Sequence, residues 1–320
     1  VLAVNKVDDM RKENLDVYEF YGLGIGEVYP VSAGQALGLG DMLDAVCSHF
    51  PDGAENAEEE DVIKVALIGK PNVGKSSLIN RMLGEERLIV SNIPGTTRDA
   101  IDTPFEYDGQ KYVLIDTAGM RRKSKIKEDI EKYSIIRAVA AVERCDVAVL
   151  VIDAQEGITD QDTKIAGIAH ERGKAAIIAV NKWDAIEKDD KTMNKFLKDI
   201  ANELAYMAYA PRVFISALTG QRVIKMLDTV KEVYANNSLR VSTGVLNDVL
   251  QQPPAEKGRQ LKIYYMTQVG IKPPTFVIFV NDRELMHFSY RRYIENQLRQ
   301  NFGFKGTPIH FIVRQKGDKD

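Results

Sequence analysis

The stretch Gly69-Lys70-Pro71-Asn72-Val73-Gly74-Lys75-Ser76 has the residue types and spacing of a phosphate cradle, G-x-x-x-x-G-K-[ST]. Gly69 and Gly74 permit backbone angles and close approaches that a Cβ would block, so the loop amides can converge on an anion at a helix N-terminus. In such a loop Lys75 reaches the β- and γ-phosphates of a nucleotide and the Ser76 hydroxyl binds Mg²⁺. Downstream, Asp116-Thr117-Ala118-Gly119-Met120 offers a carboxylate for Mg²⁺, through water, and the Gly119 amide for a γ-phosphate. Ser91-Asn92-Ile93-Pro94-Gly95-Thr96-Thr97-Arg98-Asp99 reads as a polar loop whose threonine can hold Mg²⁺ by its hydroxyl and sense the γ-phosphate by its amide. Thr97 is favoured over Thr96 for that role. Lys75, Thr97 and Gly119 are thus the groups expected to act on the γ-phosphate.

The base is read further on. In Asn181-Lys182-Trp183-Asp184 the Asp184 carboxylate can accept two hydrogen bonds from guanine N–H groups. Adenine offers no such pair, and a site built for those donors rejects a base without them by several kcal/mol. Ser216-Ala217-Leu218 would set a backbone amide at the guanine O6. These loops together point to a GTPase and away from a P-loop kinase.

The elements that must position these loops are legible from periodicity. The apolar run at 62–68 reads as a buried strand, and residues 77–83 carry apolar side chains at helical spacing with Gly84 as a stop. Tyr112-Val113-Leu114-Ile115, Val147-Ala148-Val149-Leu150-Val151-Ile152-Asp153 and Ala175-Ala176-Ile177-Ile178-Ala179-Val180 read as further strands. Strand and helix alternate from 62 to 236, which predicts an α/β domain with a mostly parallel, doubly wound sheet.

The first fifty residues repeat parts of this domain. Val1-Leu2-Ala3-Val4-Asn5-Lys6-Val7-Asp8 matches Ile177-Ile178-Ala179-Val180-Asn181-Lys182-Trp183-Asp184, and Val31-Ser32-Ala33 matches Ile215-Ser216-Ala217. Met42-Leu43-Asp44-Ala45-Val46 matches Met226-Leu227-Asp228-Thr229-Val230. Residues 1–50 therefore read as the C-terminal remnant of a first such domain, without its phosphate loop, and 51–61 as an acidic linker.

Residues 240–320 form a third region, with the order α-β-β-α-β expected of a small α+β domain. It holds 13 Lys and Arg against 7 Asp and Glu, whereas the whole chain of 320 residues has a net charge of −3. A basic end on an acidic body suggests that this end meets a polyanion. Arg283, Arg291, Arg292 and Arg299 are candidates for phosphate contacts. Gly303-Phe304-Lys305-Gly306 spells the G-x-x-G of RNA-clamping domains, but it falls between the last helix and last strand and reads as a turn. The dense basic run Arg121-Arg122-Lys123-Ser124-Lys125-Ile126-Lys127 is an RNA- or partner-binding segment or a solvated loop. Cys47 and Cys145, each in an apolar context, fit buried thiols in a reducing compartment. No signal peptide, membrane-spanning run, basic amphipathic helix or lipidation signal is visible, so a cytoplasmic protein without a membrane partner is expected. A GTP-regulated signalling or membrane-associated switch without an RNA partner is the alternative.

With G-K-P-N-V-G-K-S, P-G-T-T-R-D, D-T-A-G-M-R-R and N-K-W-D all present, the chain resembles the Der (EngA) GTPases over its whole length. The resemblance implies two consecutive GTPase domains, the first truncated here, and a KH-like C-terminal domain. It implies GTP hydrolysis to GDP, a monomer, and a role in assembling the large ribosomal subunit through its ribosomal RNA, with no DNA partner. It also implies that Met120 stands where Ras-like proteins place a catalytic glutamine, and that Asn72 coordinates an activating K⁺.

Overall fold

The computed structural model describes residues 1–7, 15–34, 37–49, 62–85, 88–90, 102–117, 130–249 and 261–315. It divides into two compact units, Val1–Glu60 and Asp61–Asp320. The expected acidic linker lies outside the described residues.

In the first unit, β1 (Leu2–Val4) pairs in parallel with β2 (Val28–Pro30). Helices α1 (Leu15–Tyr18) and α2 (Leu39–Cys47) complete it.

The second unit opens with β3 (Ile63–Ile68) and α3 (Lys75–Leu83). The strands β4 (Leu88–Val90), β5 (Thr103–Tyr107) and β6 (Gln110–Ile115) follow. Next come α4 (Ile130–Arg144), β7 (Val147–Asp153), α5 (Asp160–Glu171) and β8 (Ala175–Asn181). α6 (Thr192–Glu203), β9 (Arg212–Phe214) and α7 (Val223–Asn237) close this part. The seven strands lie in the order β4-β5-β6-β3-β7-β8-β9, parallel except for the two pairings of β5. Every residue of β7 and β8 is buried, as continuous apolar strands covered on both faces must be. Two apolar clusters fill the two faces. One packs Leu78, Met82, Met226 and Val230 against the sheet, and the other packs Val142, Ile165 and Ile200. The fold is thus a mostly parallel α/β sheet with helices on both sides. The carboxyl ends of β3, β6 and β8 all open on one edge, where ligands bind in such sheets.

The C-terminal part has the expected order: α8 (Thr243–Val249), β10 (Ile263–Gly270), β11 (Thr275–Val280), α9 (Phe288–Phe302) and β12 (His310–Gln315). Its three strands lie in the order β10-β11-β12. Leu246, Ile294 and Leu298 from the helices pack on Met266, Phe276 and Ile278.

The turn at 303–306 docks this part on the nucleotide domain. The Gly306 N–H donates to the Tyr209 carbonyl at 2.9 Å, and the Gly306 carbonyl accepts from the Ala176 N–H at 2.7 Å. The Lys305 ammonium pairs with Glu232 at 2.7 Å, and the buried Thr307 hydroxyl donates to the Asn237 side-chain oxygen at 2.6 Å. Gly306 has a φ of 73°, and a Cβ there would press into Val233, 2.7 Å from Cγ1. The glycine is therefore required by close approach of α7. Gly306→Ala is expected to lower the stability of the chain by about 2–4 kcal/mol, from overpacking plus a left-handed backbone on alanine. Urea denaturation reads this as an earlier midpoint. An unchanged midpoint would contradict the docking.

Candidate nucleotide site

The glycine loop connects β3 to α3. Gly69 has a φ of 141° and Gly74 of 97°. A Cβ on Gly69 would lie 2.5 Å from the Val151 carbonyl oxygen, and one on Gly74 would overlap the Asn181 side-chain amide. Asn72 also takes a left-handed φ, 65°. The Lys75 ammonium folds over the loop and donates to the Gly69 and Lys70 carbonyls, each at 2.6 Å. Burial lowers its pKa from the ordinary lysine range to about 8, and the Asp162 carboxylate opposes that shift. Ser76 follows in the first turn of α3. Val73 is buried beneath the loop and Pro71 half-buried beside it.

Lys70 behaves differently from its neighbours. Its ammonium pairs with Glu156 at 2.5 Å and lies 3.8 Å from the fully buried Asp162. Asp162 is itself held by the Thr159 N–H and hydroxyl in the capping box of α5. The side chain of Lys70 pins the loop from behind, and only its backbone faces Lys75.

At the end of β6, Asp116 has a φ of 59°, and its N–H donates to the Asp102 carboxylate at 3.0 Å. Asp102 in turn pairs with Arg144. Burial raises the Asp116 carboxyl above the usual range, and Arg137 opposes that shift. The Thr117 and Thr103 hydroxyls share a hydrogen bond at 2.7 Å. Thr96, Thr97, Ala118, Gly119, Met120 and the basic run at 121–127 lie outside the described residues.

The base loop is wired through one buried amide. Asn181 Nδ2 donates to the Val73 carbonyl at 2.8 Å, and Oδ1 accepts from the Ala217 N–H at 2.9 Å. The glycine loop, the N-K-x-D loop and the S-A-L loop are thereby tied to one side chain. Lys182 has a left-handed φ of 59° and pairs at 2.5 Å with Asp153, the register neighbour of Asn181 on β7. Trp183 is buried against Phe196 and Phe214, and its backbone N–H donates to the Ile215 carbonyl at 3.1 Å. The Ser216 hydroxyl accepts from the Thr219 N–H at 3.0 Å. Leu218 is 77% exposed, and its carbonyl accepts from Arg81 at 2.6 Å. Nothing in the sequence pattern pointed to Arg81 or Asp153; Asp153 becomes visible only once the β7–β8 register is known.

Gly74, Arg81, Asn181, Lys182, Asp184 and Leu218 line one cleft of about 670 Å³. Asp184 is one of the lining residues, and its Oδ1 is buried with no hydrogen-bond partner. An unpaired buried carboxylate oxygen costs free energy, so the cleft suits a ligand with N–H donors. A guanine base edge supplies them, and the loop around Lys75 suits its phosphates. Ser76 and Asp116 are oxygen donors fit for a hard cation such as Mg²⁺.

The first unit repeats this wiring. Asn5 Oδ1 accepts from the Ala33 N–H at 3.0 Å, and the Val7 N–H donates to the Val31 carbonyl at 3.1 Å. Lys6 has a φ of 70°. These match Asn181, Trp183 and Lys182 position for position, so the sequence repeat is also a structural one.

A glycine cradle at the head of an α/β sheet with an N-K-x-D cleft beside it defines a P-loop GTPase, an enzyme that hydrolyses GTP. Residues 64–182 match a family model described as a 50S ribosome-binding GTPase. Residues 240–314 match one described as the C-terminal KH-domain-like region of EngA bacterial GTPase enzymes. The "GTPase Der" of Agathobacter rectalis is 61% identical over all of this chain and 74% of its own length, and that of Alkaliphilus metalliredigens is 62% identical over the same shares. The chain belongs to the Der (EngA) family of GTPases. Among solved structures, Era in complex with MgGDPNP and part of 16S ribosomal RNA is 21% identical, with a TM-score of 0.42, over 81% of this chain and 94% of that one.

Proposed function

We propose that this chain uses its GTPase cycle in assembly of the large ribosomal subunit, contacting ribosomal RNA through its basic C-terminal part. The observation that carries this is the 61% identity, over the whole chain, to a protein named GTPase Der, together with the 50S-binding description of the matching model. The excess of Lys and Arg beyond residue 240 supports a polyanionic partner. Residues 1–50 read as a remnant GTPase domain, 62–236 as the working one and 240–320 as the RNA-facing one. The loop at 69–76 binds one guanine nucleotide together with Asn181 and Asp184. The protein acts in the cytoplasm as a monomer.

In the working domain the amides of 69–76 and the Lys75 ammonium hold the β- and γ-phosphates. Ser76, Thr97 and Asp116 hold Mg²⁺, which neutralises phosphate charge when bound. The Gly119 amide meets the γ-phosphate, and Asp184 and the 216–218 loop read guanine. The experiment is salt-dependent co-sedimentation with large ribosomal subunits, comparing GTP and GDP analogues. Nucleotide-dependent binding is expected; equal absence of binding in both states would overturn the reading.

Met120 cannot orient the attacking water, so the missing positive charge comes from a K⁺ ion that Asn72 would hold, from a basic side chain such as Arg121, or from a partner's arginine. Intrinsic hydrolysis should be about tenfold faster in KCl than in NaCl at equal ionic strength, a tenfold change being about 1.4 kcal/mol of barrier. Asn72→Ala should remove most of that difference and leave nucleotide binding nearly intact. Equal rates in the two salts would remove the ion from the mechanism.

A further inference from the structure

We propose that the face of the C-terminal sheet turned away from its two helices is a stacking platform for single-stranded RNA, centred on Tyr265. The proposal rests on the ribosomal reading above and says where on the chain such RNA lies.

Both helices of this part contribute to one apolar cluster with Ile263, Met266, Phe276, Ile278 and Val280. Strand alternation puts Tyr265, Val277 and Phe279 on the other face. Register aligns Tyr265, Phe279 and Arg314 in one row across the three strands, with Thr267, Val277 and Ile312 in the next. The Tyr265 ring stacks on Phe279, with centroids 4.3 Å apart and planes within 17°. Yet Tyr265 remains 44% exposed, as does Ile312. An aromatic pair ordered at the surface in this way leaves part of Tyr265 accessible to a base. A base stacked on Tyr265 would extend the pair to three rings.

The surroundings favour a polyanion. Arg314 lies beside Phe279 in the row, and the Lys262 ammonium sits 5.6 Å from the ring of the exposed Tyr264. The backbone of Arg283 donates to Gln315 at the end of β12, which places a further cation at that end. Arg299, one of the four arginines expected to meet phosphates, is committed elsewhere. It pairs with Glu295, donates to the Phe304 and Thr307 carbonyls and stacks on Tyr209. The turn at 303–306, the other RNA signal in the sequence, is occupied by docking. On the sheet face, aromatic rings and cations lie together. A paired duplex hides its base faces, whereas an unpaired strand presents them.

The test uses the full chain and a short fluorescent single-stranded oligoribonucleotide, with the same sequence annealed into a duplex as the comparison. The single strand should bind more tightly than the duplex. Tyr265→Ala should weaken single-strand binding by about five- to hundredfold, Tyr265→Phe by no more than about twofold. Arg314→Gln should lower the slope of log affinity against log salt by about one, while Tyr265→Ala leaves that slope unchanged. Basal GTP hydrolysis should be the same in all three variants, which also reports that they are folded. If Tyr265→Ala binds the oligonucleotide as the unaltered chain does while large-subunit co-sedimentation persists, the platform is refuted and the ribosomal reading stands. If the unaltered chain binds neither oligonucleotide nor subunit, both fall. A Tyr265→Ala variant that instead changes the sedimentation mass of the chain would mark the face as a protein contact and overturn the proposal.

Discussion

Asp184→Asn should turn the nucleotide preference of this protein from guanosine toward xanthosine. Asp184 lines the cleft, and its carboxylate brings acceptors and no donor to it. An amide at this position keeps one acceptor and gains a donor. Xanthine has a carbonyl where guanine has its amino group, so the new donor is matched by xanthine and opposed by guanine. Each mismatch leaves a buried polar group unpaired. Where a site is built on such a hydrogen bond, the discrimination reaches about 10⁴-fold. Competition between guanosine and xanthosine diphosphates for the purified variant measures the change. A variant that still prefers guanosine would remove Asp184 from the base site.

Gly74→Ala should cost nearly as much by a different route. The residue has a φ of 97°, where a side chain is strained, and its Cβ would overlap the Asn181 amide. Asn181 cannot move aside cheaply. It is buried, and its amide joins the Val73 carbonyl to the Ala217 N–H. Displacing it leaves a buried acceptor and a buried donor without partners, at about 1–3 kcal/mol each. Phosphate loop and base loop should then loosen together. We expect guanine nucleotide affinity to fall by at least about 100-fold, which is roughly 2.7 kcal/mol. A melting temperature near that of the unaltered chain would show that the loss is local. Calorimetric titration with GDP and a nonhydrolysable GTP analogue measures it. Unchanged affinity would mean that the loop can adopt another path.

Much of this architecture follows from local sequence. A backbone that must pass within contact distance of Val151 and Asn181 at positive φ needs glycine at two positions. That requirement lies within eight consecutive residues, so it can be read without a fold. That the sheet is mostly parallel could be anticipated for the same kind of reason. Runs such as 147–153 and 175–180 are apolar throughout because both faces of a parallel sheet are covered. The repeat in the first fifty residues was legible as matched words: Asn5 accepts from the Ala33 N–H as Asn181 does from that of Ala217, and Lys6 shares the left-handed φ of Lys182.

Other features depend on residues far apart in the chain. Lys182 faces Asp153 because β7 and β8 pair in one register and no other. Arg81 reaches the Leu218 carbonyl because α3 and the 216–218 loop meet at the same cleft, and Lys70 turns to Glu156 and Asp162 rather than toward the phosphate loop's open side. Gly303-Phe304-Lys305-Gly306 shows the division most clearly. The four letters establish a turn. That the turn docks a domain follows from Val233 and Tyr209, which only the tertiary fold brings to it. Local sequence specifies which backbone angles and which short-range hydrogen bonds are affordable. Which distant side chains then share a low-dielectric space, and so which charges and donors must pair, is decided by packing.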